Sequence, residues 1–93
     1  TECGINVLIA GGDFAHIGAV SIVDLQGEIF TKTFEEHKDN FVSVEWAEKL
    51  YKKFNIPVVV SVGIHYDNID YTGIENVISE MKKALDEVLK KLD

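Results

Sequence analysis

Cysteine and proline each occur once in the 93 residues. Cys3 has no partner within the chain for a disulfide, which fits a reducing, cytoplasmic setting. A single proline and 27% charged residues are far from the composition of a disordered segment. Cations are also in deficit: 9 Lys and Arg stand against 16 Asp and Glu, a net charge of −7. Phosphate backbones are gripped by clustered Lys and Arg, and the lysines here, four of the nine in the C-terminal helical stretch, are interleaved with Glu and Asp, so nucleic acid is not an expected partner. No apolar run approaches the ~18 residues of a membrane-spanning helix, and the N-terminus shows no signal-peptide pattern. Neither HExxH nor CxxC occurs, and Gly11-Gly12 joins two strand-like segments instead of opening a helix, unlike a P-loop or dinucleotide fingerprint. Internal repeats and low-complexity segments are absent as well. The chain starts at Thr1 without a Met, which leaves room for preceding residues, a further strand among them.

What the chain does have is patterned apolar sequence. With 46% hydrophobic residues it can build one compact domain, expected to span 1–93. "INVLIA" (5–10) reads as a strand and "IGAVSIVDL" (17–25) as a second, with "GGDFAH" between them too short for a helix. Gln26-Gly27 signals a tight turn, and the alternation in "EIFTKTF" (28–34) reads as a half-buried strand closing a hairpin. After "EEHKDN" the period changes. Val42, Trp46, Ala47, Leu50, Tyr51 and Phe54 fall at helical spacing across 41–54, Asn55 suits a C-cap, and Pro57 follows. Residues 58–64 are continuously apolar apart from Ser61 and Gly63, the pattern of a central strand covered on both faces.

Thr72-Gly-Ile-Glu75 matches a capping box at the start of the last helix. Behind it Ile74, Ile78, Met81, Leu85, Val88 and Leu92 keep a/d spacing, a stripe that can lie on a sheet or pair with its copy in a homodimer. The order β-β-β-α-β-α predicts an α+β fold: a two-layer sandwich with a mixed, mostly antiparallel sheet and two helices on one face.

Chain direction then predicts a convergence. If the first strand runs up, the second runs down, the third up, the first helix down and the fourth strand up. His16, His37 and His65, the only three histidines, all arrive at the upper rim, where both helices also begin. Asp13, Asp39 and Asp67 accompany them in sequence. Several chemistries fit such a rim. His16, His37 and His65 can ligate a transition metal, though no spacing motif calls for one. Gly11 and Gly12 can bring backbone N–H groups against a phosphate, with His side chains as added donors and the helix N-termini favouring an anion. A His65–Asp67 pair can serve acid–base chemistry in a small hydrolase or isomerase. Turn chemistry is the simpler account of part of the set: Asp39 or Asn40 can cap the first helix, and Asp67, Asn68 and Asp70 can bond to nearby backbone. Phe14 and Tyr66, both in rim loops, can stack on a planar ligand, cover a partner surface or close the edge of the core. No Ser or Cys stands beside a His as a nucleophile would.

Three segments together, "GGDFAHIGAVSIV", "HKDN" and "GIHYDNIDYTGIENVI", resemble the prenylated-flavin chaperones, small accessory proteins of gallate-type and UbiD-type decarboxylases. The resemblance runs over residues 8–80 and rests on a GGD-x-x-HIGAV, an H-K-D-like and a GIH-x-D-N-I segment in the same order. Phe14-Ala15 stands where a variable pair, often ending in Pro, is expected, which alters the turn. The resemblance implies a non-enzymatic role in helping a UbiD-type decarboxylase receive or keep prenylated FMN, and a fold like the proteasome-assembly chaperones, which are often dimeric. It makes Gly11, Gly12, Asp13, His16, His37, Asp39, His65, Asp67 and Asn68 the distinctive polar set. Joined with Phe14 and Tyr66, these residues form the expected site for prenylated FMN or FMN.

Overall fold

The apolar stretches and helical stripes fold in the order β1 (Ile5–Gly12), β2 (Ala19–Val23), β3 (Ile29–Thr33), α1 (Asp39–Phe54), β4 (Val58–His65) and α2 (Tyr71–Lys91). The computed structural model describes residues 3–12, 17–34, 39–65 and 69–92, with His65 described by its backbone alone. The four strands form one open sheet in the order β1-β4-β2-β3. β4 runs parallel to β1, from Ile5↔Val58 to Gly12↔His65, and antiparallel to β2, which pairs antiparallel with β3. The fold is therefore α+β with a mixed, mostly antiparallel sheet, as the element order predicts.

One face of the sheet carries the core. Ala19, Ser21, Val23, Val58, Val60 and Val62 are buried there against Val42, Trp46, Ala47 and Leu50 of α1. Two hydroxyls inside this layer satisfy each other: Ser21 Oγ bonds Ser43 Oγ of α1 at 2.7 Å and Thr31 Oγ1 of β3 at 2.9 Å. Paired hydroxyls remove the desolvation cost that an isolated buried one would impose. α2 lies on the same side, with Leu85 fully buried and Met81, Ala84, Val88 and Leu89 packed against the cluster.

Several expectations change. The fourth strand is central, but the helices cover only one of its faces; Val59 and Ser61 face away from them and are half-exposed. Its continuous apolar character therefore does not record cover on both sides within one chain. β2 is shorter than 17–25: Ile17 and Leu25 fall outside it and are exposed. β3 is an edge strand exposed throughout, not half-buried.

Helix α1 starts at Asp39, so Asp39 and Asn40 lie within the helix and not at its cap. It ends as expected at Asn55, whose φ of 55° and N–H on Tyr51 O at 2.8 Å make the left-handed stop. The capping box at Thr72 does not form. α2 begins earlier, with Asp70 as N-cap accepting from Gly73 N at 2.7 Å, which leaves Thr72 inside the first turn. Leu92, last of the predicted stripe, is its C-cap and is 51% exposed.

The lower end is closed by short-range chemistry. Asp24 Oδ1 accepts from Gln26 N and Glu28 N, each at 3.0 Å, and Gly27 adopts φ 83° beneath the Tyr51 ring. Lys53 Nζ donates to Leu89 O, tying the C-terminal ends of the two helices together.

Candidate functional site

Because β1, β3 and β4 run together and β2 runs against them, the upper rim gathers the ends of β1, β3 and β4 and the starts of β2, α1 and α2. Backbone bonds fix that rim: Gly18 N donates to Val62 O and Phe34 N to Gly18 O, both at 2.8 Å. Gly12 stands opposite His65 in the β1–β4 register. The loops that carry Asp13, Phe14, His16, His37, Tyr66, Asp67 and Asn68 lie outside the described residues, as does the His65 side chain. The described residues that flank these loops all belong to the rim.

Beneath the rim, parts of the three sequence segments lock together. Asp39, 6% exposed, turns its carboxylate toward β4, where Oδ2 accepts from Ile64 N at 3.4 Å. Gly18 packs flat on the same carboxylate, and a Cβ at that position would overlap Asp39 Oδ2. Gly18 comes from the HIGAV segment, Asp39 from HKDN and Ile64 from GIH. Asp39 thus touches the fold from within and fastens the start of α1 to β4. The sequence signal for this junction was a glycine just ahead of an apolar strand, with no turn to explain it.

The two rim glycines differ in kind. Gly12 holds φ 89°, a conformation that L side chains rarely adopt. Gly11 has ordinary strand geometry, and a Cβ there would meet nothing within 4 Å. That open space is the wall of a cleft of about 190 Å³ between β1, β4 and the first turns of α2, lined by Ile9, Gly11, Ile64, Val77 and Met81, with Asn76 and Glu80 at its mouth. Met81 also lines a second groove of about 310 Å³, between α1 and α2, walled by Phe41, Val42 and Ile78. The N-terminal half of α2 therefore stands off from the sheet, with an apolar hollow on either side of Met81.

Ile9, Ile64 and Met81 read from sequence as core, and no pattern marks them as cleft residues. Among the described residues no group of three or more His, Cys, Asp and Glu is placed to hold a metal ion. Nor is any helix among them long and apolar enough to cross a membrane.

The family model of the prenylated flavin chaperone LpdD-like domain matches residues 1–93. The chain belongs to that family. A chaperone role follows from membership. A search of curated proteins finds no significant match.

Proposed function

We propose that this chain is a non-enzymatic accessory chaperone that takes up prenylated FMN at the upper rim and passes it to a UbiD-type decarboxylase in the cytoplasm, acting as a homodimer. The observation that carries the reading is the apolar cleft beside Gly11, lined from the first and third of the segments, in a chain of the prenylated flavin chaperone family.

The cleft suits the hydrocarbon edge of a prenylated ring system: its walls are aliphatic, and its two polar side chains stand at the mouth. Its volume of about 190 Å³ is below the ~300–1,000 Å³ of pockets that enclose a drug-sized ligand. The described walls therefore grip one part of a flavin and leave the rest accessible, which suits transfer to a client. The polar end would fall to the backbone N–H groups near Gly12 and to His16, His37 and His65 as hydrogen-bond donors. With every basic residue a lysine, the chain offers no arginine fork for a phosphate.

The test is anaerobic gel filtration of the chain with reduced prenylated FMN, and separately with the decarboxylase. Flavin absorbance should elute with the protein, and unmodified FMN should be retained less. Gly11→Val, which projects into the cleft from a strand position, should weaken retention by roughly tenfold, about 1.4 kcal/mol, with an unchanged circular dichroism spectrum. Elution of the chain with neither flavin nor decarboxylase at micromolar concentrations rejects the reading.

A further inference from the structure

The sheet face turned away from the helices is apolar, and no described element covers it. The register sets its rows. Asn6, Val59, Ile22 and Phe30 lie side by side across the four strands, and Leu8, Ser61, Val20 and Lys32 form the next row. Leu8 is 75% exposed, Ile22 42% and Phe30 57%. Phe34, 56% exposed, continues the alternation one residue beyond β3. An antiparallel sheet with one wet face alternates apolar and polar residues cleanly; β2 and β4 here put Val and Ile on both sides.

We propose that two copies of the chain meet through this face, sheet against sheet. The proposal rests on the homodimer reading above and gives that dimer its surface. Area supports a second copy as the occupant. At ~150–250 Å² for a large side chain, Leu8, Ile22, Phe30 and Phe34 together expose on the order of 450 Å². Their half-covered and polar neighbours bring the face to about 700 Å², close to the ~800 Å² per partner of a standard interface.

Charge supports it too. The chain carries −7 overall, which opposes self-association, yet neither row holds an acidic residue and Lys32 is their only charge; Asp24 and Glu28 fall in the next row, at the lower border of the face. Lys32 sits on the edge strand, where its ammonium reaches water while its stem packs. Two copies related by a two-fold axis can therefore meet over these two rows without carboxylates facing one another. A transient client would leave this surface in water between encounters, whereas a second copy covers it continuously. The contact supplies the cover on both faces that the apolar run of β4 predicts, and it leaves the helices outermost and the rim free on each protomer.

Light scattering on eluting protein, with sedimentation equilibrium, reads the outcome. The wild-type chain should weigh twice its 10.4 kDa. Ile22→Glu/Phe30→Glu should weigh 10.4 kDa with an unchanged circular dichroism spectrum. Phe41→Glu, an exposed α1 position on the other layer, should remain a dimer. If the double variant loses its fold, Leu8→Lys replaces it, since Leu8 is the most exposed residue of the face. A wild-type monomer at on the order of 100 µM overturns the dimer itself. A wild-type dimer that persists in folded face variants overturns this surface while leaving the dimer standing.

Discussion

At the scale of single residues, the rim depends on what glycines leave out. Gly18 makes room for the Asp39 carboxylate, and Gly11 makes room for the cleft, so the same substitution has opposite consequences at the two sites. Gly18→Ala should destabilise the chain by about 1–3 kcal/mol, the usual cost of forcing extra volume into a packed site. Gly11→Ala should stay within about 0.5 kcal/mol of wild type. Urea denaturation followed by Trp46 fluorescence measures both, and equal midpoints for the two variants would show that Asp39 is not wedged against Gly18. Asp39 itself was legible as a helix-start residue but not as a brace. Nothing local in "HKDN" reveals that its carboxylate crosses to the backbone of a strand 25 residues later.

At the scale of elements, the sequence pattern located all six and missed mainly their ends. Asp70 and Thr72 each offer an oxygen to the first turn of α2, and a capping box at Thr72 fits the letters as well as an Asp cap does. Asp70 wins because its carboxylate reaches Gly73 N at 2.7 Å, and the helix gains two residues. Asp70→Ala should cost about 1 kcal/mol and Thr72→Ala a few tenths, read as a larger drop in thermal midpoint for the first. The opposite ranking would restore the capping box. α2 is also uneven along its length. Leu85 is its one fully buried residue, while residues 74–81 border hollows on both sides. Amide hydrogen exchange should therefore be faster in 74–81 than around Leu85, and a ligand in the cleft should slow it selectively. Uniform protection along α2 would mean that its first turns are packed as firmly as its last. Strand order was legible only in part: the hairpin pairs β2 with β3 and the apolar run makes β4 central, but nothing in the pattern sets β4 between β1 and β2.

At the scale of the whole molecule, convergence on one rim follows from direction alone. Strand sense predicts it whichever strands are neighbours, which is why the rim was legible and the cleft was not. The sheet's outer face was half legible: the apolar run of β4 called for cover on both faces, while the reading placed both helices on one and named nothing for the other. The order β1-β4-β2-β3 has a further consequence, for the route by which the sheet is assembled. β2 and β3 are joined by a five-residue connection and can pair at once, whereas β1 has no strand partner until residues 58–65 slot between it and β2. Closing a long loop before any contact rewards it is slow. Pulse-labelled exchange during refolding should protect the β2–β3 amides first and those of β1 together with β4, with simultaneous protection arguing for a single concerted step. On the ribosome β1 emerges ahead of β4 and docks late, so Gly11 and Gly12 meet Ile64 and His65 only once those later residues have left the tunnel.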